Sequence, residues 1–286
     1  MNLRLILLLL CVGQTFLARA HAADPAPPKP ASTVLTAASF AQAAADTDAL
    51  LAGKSPSSRT LKLFRTYDNL ALAYKRNPDC VAAGIDLTCI SVANSANADG
   101  TGGNRGCVTL ITPQHGLTND HFPQPYETGV FHYFVDRTNV VHARRIIGSQ
   151  TVAGTDLRVI AFDTPLPASI TPAALLPPGA TARLPPGTPL LSTNQEKRIV
   201  ITELAGFTAG EVVVRPATTP GRRGWTTTPP AIIGDSDSPT FVLLDRRPRL
   251  LFTYHTNITG PTISESLPAI QAILQGKYPL EVATVR

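Results

Sequence analysis

Apolar and polar residues follow two textures along this chain. The stretch "TVLTAASFAQAAADTDALLAG" at 33–53 is rich in Ala and ends on Gly53, which predicts one helix with a glycine stop. From about residue 85 the pattern changes to short apolar runs separated by Gly, Pro and Asn. These include "IDLTCISV", "GCVTLIT", "TGVFHYFV", "DLRVIAF", "TPLLST", "RIVITEL", "GEVVVRP", "TFVLL" and "RLLFTYHT". So many short runs bounded by turn residues predict an all-β barrel or sandwich. "LPPGATARLPPGTP" at 176–189 reads as a connector between two β halves. "SESLPAIQAIL" predicts a closing helix, and "YPLEVATV" a last strand. The glycine-rich "GTGGNRG" at 100–106 lacks a phosphate-loop or dinucleotide pattern and is read as a hairpin loop.

The amino-terminal residues belong to neither texture. Arg4 precedes an unbroken apolar run from Leu5 to Val12, followed by small residues around "AHA", the order of a secretory signal peptide. That run is shorter than the roughly 18 residues a membrane helix requires. Cleavage is expected after Ala22, with a secreted or periplasmic mature chain and no membrane attachment after signal removal. Residues 23–33, "ADPAPPKPAST", form a stiff Pro/Ala tether that, with the helix, extends to about residue 60. Loss of Arg4 and Arg19 lowers the formal charge from +5 to +3. The remaining arginines form short clusters without interleaved aromatics, so the balance favours solvated faces over a nucleic-acid surface.

Export leaves Cys80, Cys89 and Cys107 in an oxidising compartment, which permits one disulfide. Proximity favours Cys80 with Cys89, and pairings that use Cys107 stay open. Neither a C-x-x-C spacing nor a nearby His pair is present, so no metal site and no cofactor are expected.

Three stretches carry candidate chemistry. His121 ends "GCVTLITPQHGLTNDH", Asp156 opens "DLRVIAF", and Ser236 lies in "GDSDSP" at 234–239. Gly, Asp, Ser and Pro alone would make an ordinary turn. The order His, Asp, Ser gives the stretch a second meaning. "LTNDH", "DLRVI" and "GDSDSP" resemble the three motifs of bacterial secreted, trypsin-like serine peptidases of the chymotrypsin fold, over roughly residues 85–275.

The resemblance implies two packed antiparallel β-barrels, at about 85–170 and 171–262, with a C-terminal helix at about 264–275, all within a domain spanning 61–286. It implies a secreted serine endopeptidase acting on a polypeptide substrate, with a His121, Asp156, Ser236 triad and an oxyanion hole from the N–H groups of Gly234 and Ser236. It places Pro230, Thr253, Tyr254 and His255 around the substrate pocket. Pro230 stands where the family's acidic selector of basic side chains would be, so cleavage after small or apolar residues is expected. Asp163 lies seven residues beyond Asp156, an odd spacing that turns it to the other face of a strand. His115, His132 and His142 are read as structural.

The chain departs from the family in three places. Phe122 replaces a cysteine, no "R-I-V-G-G" activation site is present, and Asp237 stands where the family has glycine. Without the activation site, Asp235 is expected to pair with an arginine. The Asp237 carboxylate is expected to repel the developing oxyanion. The alternative reading is therefore a catalytically impaired protein of the same fold that binds a protein or peptide.

Overall fold

The computed structural model describes residues 36–95, 103–104, 106–121, 127–226 and 230–283. The expected signal peptide, the tether at 23–33, most of the glycine-rich loop and Phe122 lie outside the described residues. Helix α1, Ala37–Leu51, opens with a capping box in which Thr36 and Ser39 each accept the other's backbone N–H, and Gly53 follows its end at φ 70°. A one-turn helix α2, Ser58–Leu61, leads into a small hairpin of β1, Phe64–Asp68, and β2, Ala73–Arg76.

Two seven-stranded sheets follow. The first contains β3 (Ser91–Ser95), β4 (Gly103–Asn104), β5 (Thr109–Thr112), β6 (His115–Asn119), β7 (Phe131–Val135), β8 (Val141–Val152) and β9 (Leu157–Phe162). Its order is β4-β3-β7-β8-β9-β6-β5. A bridge between Ile90 and Thr109, with hydrogen bonds from Ser91 N to Val108 O and from Leu110 N to Cys89 O, returns β5 to the start of β3 and curls the sheet on itself. The second contains β10 (Ala174–Leu175), β11 (Pro189–Thr193), β12 (Ile199–Thr208), β13 (Glu211–Pro216), β14 (Pro239–Leu244), β15 (Arg247–Thr253) and β16 (Thr259–Pro261). Its order is β10-β15-β14-β11-β12-β13-β16. All its pairings are antiparallel except β10 with β15. The chain is thus predominantly β, and helix α3, Ile263–Ile273, follows the last strand.

Turn chemistry holds the hairpins in register. Asp245 and Arg246, both at positive φ, join β14 to β15, and Ala209 with Gly210 join β12 to β13 in the same way, the two-residue geometry that matches strand twist. α1 packs Phe40 and Ala43 into the core beneath the second sheet, alongside Leu190, Val242 and Leu244. No helix among the described residues is long and apolar enough to cross a membrane.

Two expectations are corrected here. Of "YPLEVATV", the described residues make one parallel bridge, Val282 with Leu175, in place of the expected strand, and its last two residues lie outside the described residues. The Cys80–Cys89 disulfide is not formed, and Cys80, Cys89 and Cys107 are all buried thiols outside any disulfide. Closeness in sequence does not decide the matter, because each sulfur enters the apolar core as a small hydrophobic group. Burial raises all three thiols and pushes those of Cys80 and Cys107 up to about 11, which leaves them almost entirely protonated near neutrality.

Candidate active site

β6 and β9 run antiparallel with Asn119 opposite Leu157, so the chain leaving β6 passes directly over the residue that precedes β9. His121 and Asp156 meet there. Asp156 Oδ1 accepts the backbone N–H of His121 at 3.0 Å and of Asp120 at 3.2 Å, while Oδ2 lies 2.6 Å from His121 Nδ1. An ionised carboxylate only accepts, so this contact puts the imidazole proton on Nδ1 and leaves Nε2 with its lone pair. The neighbouring Asp120 carboxylate is taken up by Arg158 and by Thr151 Oγ1, so it does not compete for the imidazole. The His121 side chain is 33% exposed, open enough to meet a ligand.

The Ser236 loop is held from below. Asp235 is buried and accepts the backbone N–H groups of Gln195 at 3.0 Å and Ile232 at 2.9 Å. These peptide donors, rather than the expected arginine, satisfy its charge. Asp237 is also buried, at φ 73°, and its Oδ1 accepts the N–H of Asn119 at 2.8 Å, two residues before His121. Asn119 in turn donates from Nδ2 to Tyr254 O and accepts from Thr253 Oγ1. These bonds tie the segment carrying His121 to the segment carrying Ser236.

Within the loop, the N–H groups of Asp235, Asp237 and Ser238 donate to Ile232 O, Tyr254 O and Asp235 O. Among the described residues, those of Gly234 and Ser236 have no protein acceptor, and the half-buried Ser236 hydroxyl has no hydrogen-bond partner. Gly234 stands at φ 96°, which favours glycine; a Cβ there would meet only the end of the Gln195 side chain, at 2.9 Å.

The Asp237 carboxylate is buried, and its Oδ1 is committed to the Asn119 N–H. Its removal should act on stability. Asp237→Gly leaves a buried N–H without this acceptor, at about 1–3 kcal/mol, partly offset by glycine's ease at positive φ. Asp237→Asn retains an oxygen acceptor and a tolerated φ, and should lose less. Urea unfolding of both variants checks the order, and a glycine variant at least as stable as the asparagine one contradicts the role.

The expected pocket is rearranged. Pro230 and Thr253 are buried, and the Thr253 hydroxyl is committed to Asn119. Tyr254 is 1% exposed, packed edge-on against Phe252, with its hydroxyl on Ser192. Its ring fills the second core and does not narrow a surface pocket. Of the four, only His255 is partly exposed; just beyond it Gly260 lets β16 pass the end of β15, where a Cβ would come within 2.0 Å of Thr253 O.

His255 Nδ1 is 2.9 Å from Glu211 Oε1, Nε2 is 3.9 Å from Asp156 Oδ2, and its ring centroid is 5.6 Å from that of His121. Glu211 escaped the sequence reading. The Ala209–Gly210 turn that delivers it was the available signal. A cleft of ≈ 650 Å³ opens along Asp156, Glu211 and His255, bordered by Ser266 and Ala269 of α3.

The remaining candidates are structural. Asp163 caps the backbone N–H groups of Arg145 and Thr164. His115 is bonded to Thr112, His132 to Ser91, and His142 to Asp136. Neither a scan against protein-family models nor a search of curated proteins finds a match for this chain.

Proposed function

We propose that this chain is an exported serine endopeptidase, with its two sheets acting as the packed barrels of a chymotrypsin-like fold and the reaction taking place between them. The observation that carries the reading is the grip of Asp156 on His121, one carboxylate oxygen on the ring N–H and the other on the backbone, with Nε2 left as a base. The unpaired N–H groups of Gly234 and Ser236 support it.

In the proposed reaction His121 Nε2 takes the Ser236 proton as Oγ attacks the peptide carbonyl. The two free N–H groups receive the oxyanion, and Asp156 stabilises the imidazolium. His121 then gives its proton to the leaving amine, and water attacks the resulting ester by the same route in reverse. Selectivity for Arg or Lys is not part of the proposal, since Pro230 occupies the position from which an acidic residue would select them.

A fluorescent phosphonate ester, whose phosphorus bonds to the Oγ of an activated serine as its alkoxy or aryloxy group leaves, tests the reading. Labelling that disappears in Ser236→Ala supports it. The second reading, a binding protein of the same architecture, draws on the absence of a hydrogen bond from Ser236 to His121 among the described residues. That contact often forms only with substrate. Failure of folded protein to label would put the binding reading first.

A further inference from the structure

Beside the proposed triad the chain assembles a second set of donors. His121, Asp156 and His255 each offer one nitrogen or oxygen, and these atoms all lie within 4.8 Å of one another. The orientation of His255 is set from behind. Its Nδ1 sits 2.9 Å from Glu211 Oε1, and since a carboxylate accepts, Nδ1 carries the proton. The Nε2 lone pair then faces Asp156 Oδ2 at 3.9 Å. In the neutral ring this is a lone pair facing a carboxylate oxygen, a position that a cation fills. The carboxylate behind the histidine is the usual support of a metal-bound imidazole, fixing both ring angle and tautomer.

We propose that His121, Asp156 and His255 form a site for a zinc-like divalent ion, and that its occupancy switches the peptidase off. Two imidazoles and one carboxylate suit zinc, or cobalt as its spectroscopic substitute, far better than magnesium or calcium. At metal–ligand distances near 2.1 Å, tetrahedral ligand atoms stand about 3.4 Å apart. The Asp156–His255 pair must therefore close by about half an ångström, and the 2.6 Å Asp156–His121 contact must open. Three protein ligands leave a coordination position for water, and the cleft along Asp156, Glu211 and His255 gives the ion a way in.

Inhibition follows from the tautomer. With the ion on Nδ1 of His121, the ring proton moves to Nε2 by exchange with solvent, and the ring stays neutral. Nε2 then holds a hydrogen where the reaction needs a lone pair, so the Ser236 proton has no acceptor. This consequence rests on the triad proposed above; the binding itself does not.

Ser236→Ala protein titrated with Zn²⁺ by calorimetry, and with Co²⁺ by visible absorption, tests the site without any turnover. One ion per chain is expected, with Co²⁺ showing the intense absorption of low-coordinate cobalt. Glu211→Gln in the same background should bind about 10–100-fold more weakly. His255→Ala should bind more weakly still and lose the cobalt spectrum. In the protein with Ser236 intact, Zn²⁺ should slow phosphonate labelling and a chelator should restore it. The ratio of rates with and without Zn²⁺ should approach one in His255→Ala.

Absence of binding to Ser236→Ala, or binding unchanged by both His255→Ala and Glu211→Gln, overturns the proposal. Zinc binding with the expected dependence in a protein that never labels would retain the metal site and reject the peptidase. Labelling in a protein that binds no zinc would do the reverse.

Discussion

Alanine at His121, Asp156 or Ser236 is expected to lower peptide turnover by about 10⁴ or more, with double and triple replacements losing little beyond the worst single one. The reason is mutual dependence. Without Nε2 the serine keeps its proton, without Ser236 the imidazole has nothing to activate, and without Asp156 the ring loses the contact that puts its proton on Nδ1. Asp156 also holds the backbone of His121 and Asp120, so Asp156→Asn is the sharper probe of tautomer: it keeps the shape and removes the obligate acceptor. Steady-state turnover of a fluorogenic peptide library, with folding checked by circular dichroism, measures these losses. Single variants that each lose less than about tenfold would refute the triad, since positioned acid–base catalysis alone contributes about 10²–10⁴.

The second large effect lies far from this chemistry. Glu203 is fully buried on β12 and accepts from the backbone N–H groups of Thr218 and Thr219 and the hydroxyl of Thr218, with Arg222 and Arg215 nearby. Arg222 is itself buried and makes a bidentate pair with Asp48 of α1, so Glu203 anchors the network that clamps the first helix to the second sheet. Burial alone would raise the carboxyl, but the hydrogen bonds from Thr218 and Thr219 outweigh it and hold the group at about 2, below its ordinary 4.5.

A carboxylate held low in the folded state stabilises it above the unfolded value. The contribution, about 3 kcal/mol, is full above pH 4.5 and fades as pH falls toward about 2. Glu203→Ala, which leaves buried donors and part of the Arg222 charge without a partner, should cost about 3–5 kcal/mol near neutrality. Urea unfolding at several pH values should show the gap between wild type and Glu203→Gln shrinking between pH 4.5 and 2. Asp136 is likewise held low, by Thr138, His142 and Val140 against the opposing effect of its burial, and is common to both proteins, so the difference isolates Glu203. A gap independent of pH would show that the carboxylate charge is not what stabilises this network.

How much of this was legible depends on where the physics is local. Runs such as "TFVLL" and "RLLFTYHT" became β14 and β15 because every residue of β14 and most of β15 are buried, and a continuous apolar run is how such strands read. β8 was passed over. Its "VHARRIIGSQTV" buries only Ile146 and Val152 and is held by backbone pairing to β7 and β9, which leaves little apolar signal. The β1–β2 hairpin was missed for the same reason, with one buried residue in each strand.

At the site, motif spacing pointed to His121 and Asp156. The partners of Asp235 and Asp237 are peptide N–H groups, which sequence does not distinguish, and pairing either with arginine or with an oxyanion overlooked that class of donor. Glu211 opens β13, and His255 lies 44 positions on in the turn between β15 and β16; the pairing of β13 with β16 brings the two face to face.

The bonds from Asn119 to Asp237, Thr253 and Tyr254 close loops of 118, 134 and 135 residues. Contacts of such range form late, because the entropy of closing the loop must be met before any of them contributes. A chain emerging from synthesis makes β6 and β9, and with them the His121–Asp156 pair, before the Ser236 turn exists. The complete constellation arises only when the second sheet docks. If the proposed triad is the working site, a chain assembled in that order has none while its own strands are still open to cleavage.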